Sequence, residues 1–315
     1  MTDPVTFSAA NPLKIGTRRS PLAMAQAHMV ADAILAARDL PADAVMLVPM
    51  LSSGDKIQDR PLAEIGGKAL WTKELERALI TGEIDIAVHS MKDVETVRTP
   101  EFTLAAMLPR ADVRDRLVGA ESIAALKQGA KIGTSSPRRA AQMLALRPDL
   151  NIVMLRGNVA TRLAQIDAGV ADATLLAAAG LDRLGMADIG HAISTQDMLP
   201  AAAQGAVGID ILTQHTDLHI FISRINDVPT FDCVMAERAL LFALGGSCHS
   251  PVAAMAQISG DTITLSAEIL AMNGSERQAS SAQFDRSDMA APARLAAQLL
   301  AAASPELQAL FQQCS

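Results

Sequence analysis

At 315 residues the chain has room for two or three domains, and a composition that is 50% hydrophobic and 19% charged is that of a compact folded protein. A net charge of −7 and an aromatic content of 3%, with no tyrosine, argue against a general nucleic-acid or anionic-membrane binder, which needs a basic surface or a stacking platform. Cys233, Cys248 and Cys314 lack metal-ligand spacing, no signal-peptide pattern opens the chain, and no apolar run reaches membrane-span length. The expectation is a cytoplasmic monomer, with no metal and no nucleic-acid or membrane partner.

Leu13 to Thr17 reads as a strand, with Ser20 and Pro21 as N-cap and first position of a helix running to about Arg38. Arg18, Arg19 and Ser20 then fall at a strand-to-helix turn, where backbone N–H groups and guanidinium groups make a carboxylate or phosphate site. A solvated arginine pair accounts for them equally well. Ala44 to Leu51 is a second strand. Gly66-Gly67-Lys68 leads toward a helix at Thr72 to Thr81; it lacks the spacing of a nucleotide phosphate loop, but it allows close backbone approach to a ligand, with Lys68 as a point charge.

From Ile84 a short apolar run breaks at His89-Ser90-Met91-Lys92-Asp93, which places a carboxylate near the carboxyl end of a buried parallel strand. Ligands of open α/β sheets sit there, so Asp93 is the first candidate for chemistry, with Ser90 and Lys92 beside it. An ordinary Lys–Asp pair in a solvated loop is the competing reading. Phe102 to Leu108 is another strand, and the mixed charges of Arg110 to Leu117 read as a crossing between domains.

A second βα series begins at Lys131. Ser136 and Pro137 start a helix that places Arg138 and Arg139 in its first turn, where the helix dipole disfavours cations, so an anion is expected between them. Asn151 to Leu155 is a strand ending at Arg156, followed by a helix carrying Arg162, and Ala173 to Ala177 is a strand followed by Arg183. Lys131 to Arg183 holds one lysine and six arginines against four aspartates. Cations recurring at successive βα junctions suggest an anionic small ligand.

Val207 to Leu212 returns the chain to the first domain, and Thr230 is read as the cap of a helix running to about Ala243, ended by Gly245-Gly246. Cys248 follows in a loop, as attachment or nucleophilic thiols often do, whereas Cys233 reads as a small buried hydrophobe. Val252 to Ile258, Thr262 to Leu270 and Glu276 to Phe284 are strands, the last two joined at Asn273-Gly274, and two helical segments follow. The fold class is α/β: domain 1 at 13–108 with 207–224, domain 2 at 114–202, and a small α+β domain 3 at 228–315 with a three-stranded antiparallel sheet.

The ordered stretches Thr17-Arg18-Arg19-Ser20-Pro21, Asp85-Ile86-Ala87-Val88-His89-Ser90-Met91-Lys92-Asp93, Gly133-Thr134-Ser135-Ser136 with Arg138-Arg139, Leu155-Arg156-Gly157-Asn158, Gln204-Gly205-Ala206 and Gly246-Ser247-Cys248 resemble the porphobilinogen deaminase, or hydroxymethylbilane synthase, family. The resemblance implies two periplasmic-binding-protein-like domains and a third that carries a dipyrromethane cofactor, held by a thioether to Cys248. It further implies that four porphobilinogen molecules are joined head to tail with loss of ammonia and released as a linear tetrapyrrole. Asp93 takes the catalytic role near the pyrrole nitrogens. Cys248, Arg138, Arg139, Ser136, Lys92, Ser90, Lys68 and Asp93 match cofactor-binding positions, and Arg18, Arg19, Ser20, Arg156, Arg162 and Arg183 match substrate-binding ones. Arg19, Glu95, Val113, Pro137 and Ala203 depart from the residues common in the family, with Ala203 standing for a glycine. Two other classes compete: a non-catalytic anion-binding module of the periplasmic type, and a transferase in which Cys248 turns over as a nucleophile.

Overall fold

The computed structural model describes residues 5–51, 72–246 and 250–312. They form two compact units, Met1–Ala111 with Ala206–Phe231 and Asp112–Gly205 with Asp232–Ser315.

The first unit is a five-stranded sheet of β1 (Leu13–Arg18), β2 (Val45–Met50), β3 (Ile86–Ser90), β4 (Phe102–Met107) and β10 (Val207–Leu212), in the order β2-β1-β3-β10-β4. β1 runs parallel to β2 and β3, and β10 runs antiparallel to β3 and β4. Successive residues of a strand face opposite sides, and β3 uses both. Ile86 and Val88 join a core with Val30 and Ile34 of α1 (Pro21–Arg38), while Ala87 joins a separate core with Leu75 and Leu79 of α2 (Lys73–Ile80). Burial on both faces is why this strand reads as a continuous apolar run.

The second unit contains two sheets. One comprises β5 (Asp115–Val118), β6 (Lys131–Gly133), β7 (Asn151–Val153), β8 (Ala173–Ala177) and β9 (His191–Ala192), ordered β7-β6-β8-β5-β9, with α3 (Pro137–Leu146), α4 (Val159–Asp167) and α5 (Ala178–Arg183) in its connections. β6, β7 and β8 are parallel, and β5 is antiparallel to β8. The same plan therefore occurs twice: four strands run in one direction and one, β10 in the first sheet and β5 in the second, runs against them. These are two α/β domains of one plan. The other sheet is the antiparallel β11 (Val252–Ser259), β12 (Thr262–Leu270) and β13 (Arg277–Asp285). Its core joins Ile263, Leu265 and Ile269 to Leu240 of a long helix at Val228–Ala243, Leu299 of Ala291–Ala302 and Leu307 of Pro305–Gln312.

The charged stretch read as a crossing between domains contains the boundary between the two units, after Ala111, and then enters β5 at Asp115, where Asp115 and Leu117 face inward and are buried. One boundary differs from expectation. The helix expected to be capped by Thr230 starts earlier, at Val228: Asp227 Oδ1 accepts from Thr230 N (2.9 Å), and the Thr230 hydroxyl accepts from Arg110 N (3.0 Å).

Candidate active site

β3 ends at Ser90 and passes into a single 3-10 turn, Met91–Asp93. Met91 is buried and anchors that turn, packing where Gly208 of β10 leaves space; a Cβ at Gly208 would lie 2.1 Å from Met91 Sδ. Met91 N also donates to Ala206 O (3.1 Å). With the turn held from below, Asp93 is exposed and lines a pocket with Arg18, Ser20, Gln26, Thr72, His89 and Ser90. Gln26 Nε2 donates to Ser90 Oγ (2.7 Å), tying α1 to the end of β3. Ser20 Oγ caps α1, accepting from Ala23 N (3.3 Å), so a hydroxyl, a helix amino end and a guanidinium share one edge. Arg19 is exposed and turned to the β2 side, with Nε 3.4 Å from Pro49 O. Lys92 is half-buried.

A polar cluster absent from the sequence reading starts at His89 in the pocket wall, with His89 and Asp210 buried and Arg98 and Glu76 half-buried. His89 Nε2 is 3.4 Å from Asp210 Oδ2 on β10, Arg98 Nη2 bonds the same carboxylate oxygen, and Arg98 Nη1 reaches Glu76 Oε1 at 2.6 Å. These pairs lock β3, β10 and α2 together beneath the Asp93 turn.

In the second unit, Ser136 caps α3, accepting through Oγ from Arg139 N (3.4 Å), with Pro137 in the first helical turn. The anion expected between Arg138 and Arg139 is internal. Asp115 Oδ2 lies 2.8 Å from Arg138 Nη2, and its Oδ1 lies 2.7 Å from Arg139 Nη2. Antiparallel β5 places Asp115 opposite Ala177, so its carboxylate reaches the edge where the parallel strands end. Gln204 Nε2 adds a third donor to Asp115 (2.9 Å). Burial pushes the Asp115 carboxyl up, but the two guanidinium groups and these hydrogen bonds outweigh it and hold the group well below the usual carboxylate range.

Both arginines are almost wholly covered, yet neither is saturated. Of five guanidinium N–H donors, Arg138 uses three, on Gln142, Leu199 O and Asp115, and Arg139 uses two, on Leu175 O and Asp115. Arg156 is half-buried beyond β7, and Arg162 on α4 reaches Gly157 O (3.0 Å) and Ser135 Oγ (3.4 Å). Arg183 at the end of α5 donates to Gly205 O (2.6 Å); burial pushes its guanidinium down, partly offset by Asp182. Nε of Arg138, Arg139 and Arg183 has no hydrogen-bond partner among the described residues. The positive charge gathered at this edge is suited to an anionic ligand.

Lys68 and Cys248 lie outside the described residues, as does Cys314. Cys233 is buried in the core of the C-terminal sheet, as its position in a helix predicts. Asp115, His89 and Asp210 escape a sequence reading because Asp115 sits among mixed charges, His89 opens the polar end of β3 and Asp210 is a single polar residue in β10, and partners distant in the chain give each its meaning.

Each of the two α/β sheets gathers cations and hydroxyls where parallel strands end, an arrangement able to hold an anionic small molecule, and Asp93 in the first adds a carboxylate able to handle a proton. Residues 13–219 match the family model for "Porphobilinogen deaminase, dipyromethane cofactor binding domain", and residues 231–302 match that for "Porphobilinogen deaminase, C-terminal domain". The chain is 56% identical over 307 residues to the porphobilinogen deaminase of Sphingopyxis alaskensis, covering 96% of this chain and 97% of the relative. It is 49% identical over 269 residues to that of Paracoccus denitrificans, covering 84% and 86%, and 45% identical over 280 residues to that of Nitrobacter winogradskyi, covering 88% and 89%. The chain belongs to the porphobilinogen deaminase family, which favours the enzymatic reading over a non-catalytic anion-binding module.

Proposed function

We propose that this chain is a deaminating transferase that joins four porphobilinogen molecules head to tail and releases a linear tetrapyrrole, hydroxymethylbilane. The observation that carries the proposal is the exposed Asp93 carboxylate, held on a braced turn in a pocket that also presents Arg18 and Ser20. A dipyrromethane group, tethered by a thioether to Cys248, supplies the primer whose free terminal carbon is the nucleophile. The fit rests on charge: each pyrrole carries an acetate and a propionate, and Arg156 and Arg162, backed by the buried Arg138 and Arg139 and the half-buried Arg183, make this edge cationic.

Loss of ammonia from porphobilinogen leaves an electrophilic carbon on a cationic pyrrole, and joining that carbon to the next ring would release one ring proton, so the site needs a group that offsets the charge and accepts the proton. Asp93 accepts hydrogen bonds from the pyrrole N–H groups, stabilises that charge and takes up the proton. Ser90, Lys92 and Lys68 contact the cofactor, and Arg18, Arg19 and Ser20 contact substrate. Among the described residues no helix is long and apolar enough to cross a membrane, and a cytoplasmic monomer is the reading adopted.

Intact mass under denaturing conditions tests the proposal. The purified protein should exceed the bare polypeptide by one dipyrromethane, retain that mass after many turnovers, and lose it in Cys248→Ser. A bare mass in active protein would overturn the proposed tether, and loss of the group on each turnover would favour a cysteine that acts as a nucleophile.

A further inference from the structure

The C-terminal sheet grips the arginine-bearing helix α3 at two points. Glu268 on β12 has no exposed surface; its Oε1 accepts from Gln142 Nε2 (2.5 Å) and its Oε2 from Arg277 Nε (2.5 Å). One turn back along α3, Gln142 Oε1 accepts from Arg138 Nη1 (2.8 Å), and Gln142 Nε2 also donates to Leu199 O (2.9 Å). At the hairpin between β12 and β13, Gly274 has φ +71° and sits so close to α3 that a Cβ there would lie 2.4 Å from Ala145 N and 2.8 Å from Ala141 O.

We infer that Glu268 is a positioning residue for Arg138, acting through the amide of Gln142. The role rests on the proposal that Arg138 serves the site of the anionic pyrrole chain. A carboxylate only accepts hydrogen bonds and a guanidinium only donates them, so an amide between them is satisfied in one orientation alone. Turning Gln142 over would set its NH2 group against the guanidinium and its carbonyl against the carboxylate. In a buried setting those contacts are costly, so Glu268, together with Leu199 O, fixes which end of Gln142 faces Arg138. Asp115 holds the far side of the same guanidinium, and Arg138 is thereby clamped between a strand of its own sheet and a strand of the C-terminal sheet. The C-terminal segment thus orients the cationic edge in addition to carrying Cys248.

Steady-state kinetics with porphobilinogen separates positioning from mere support. Glu268→Leu is expected to raise KM about tenfold, the effect of one charge-assisted hydrogen bond, with kcat within about twofold and the cofactor mass retained. Glu268→Gln keeps an acceptor for Gln142 and should stay within about threefold of wild type. Arg277→Gln removes the other partner of Glu268, which does not lead to Arg138, and should leave KM unchanged. Gln142→Leu should raise KM like Glu268→Leu, and the double variant should raise it no further. An unchanged KM in Gln142→Leu, an equal rise in Arg277→Gln, or additive effects in the double variant would overturn the inference. Wild-type protein that forms no tetrapyrrole would instead overturn the proposed reaction.

Discussion

The Asp115 carboxylate is shared by two buried guanidinium groups, at 2.8 Å from Arg138 Nη2 and 2.7 Å from Arg139 Nη2. Two cations against one anion leave a net positive site in a buried setting. Asp115→Asn should therefore cost about 3–5 kcal/mol of unfolding free energy, the penalty for removing one partner of a buried ion pair. Chemical denaturation of the purified variant measures this. A loss below about 1 kcal/mol would mean that water reaches the arginines and that Asp115 is not their counter-ion.

Asp115 also sets a direction for pH dependence. Its carboxyl is held below the ordinary range in the folded chain, so its contribution is complete above the unfolded value of about 4 and is lost as pH falls through the lower folded value. Urea midpoints of the wild type should fall steeply below about pH 4, and Asp115→Asn should flatten that fall. Asp149 shifts in the same direction, with Arg147 as the first cause, but it is only half-buried and solvent screens the pair, so its share is small. Parallel pH profiles for wild type and Asp115→Asn would contradict the assignment.

Ala203 has φ +62°, a left-handed conformation in which a Cβ is unfavourable by roughly 1–2 kcal/mol. It is held there because its N–H donates to Glu237 Oε2 (2.6 Å), while Oε1 of the same buried carboxylate accepts from Ala256 N (2.7 Å). Glycine relieves the backbone but gains freedom in the unfolded chain, which offsets roughly 0.4–1 kcal/mol. Ala203→Gly should therefore stabilise by about 0.5–1 kcal/mol, seen as a higher melting temperature. A lower one would mean that the methyl group contributes packing that outweighs the strain.

Local signals carried much of this architecture into the sequence. Ser20-Pro21 and Ser136-Pro137 mark helix starts by capping chemistry, and Asn273-Gly274 marks the hairpin, because each acts within a few residues. What remained hidden acts across long separations. Asp115 looked like one charge in a mixed stretch, and its pairing depends on β5 running antiparallel beside β8, a fact of topology rather than composition. The position of Asp93 was legible because β3 is buried on both faces and ends abruptly. The bracing of its turn by Met91 and Gly208 was not, since that contact joins residues from distant strands.

Asp93 is exposed at the end of a turn whose anchor is Met91, so changing its side chain should leave the fold unaltered. Asp93→Ala should lower kcat by about a hundredfold or more while stability stays within about 0.5 kcal/mol. Asp93→Asn separates the two tasks given to the carboxylate. An amide oxygen still accepts a hydrogen bond from a pyrrole N–H, so KM should change little, but it carries no negative charge to offset the cationic ring and no base to receive the proton. Turnover in Asp93→Asn should therefore fall nearly as far as in Asp93→Ala. A kcat close to wild type in Asp93→Asn would restrict Asp93 to orientation, and the proton would then have to pass to another group in the pocket.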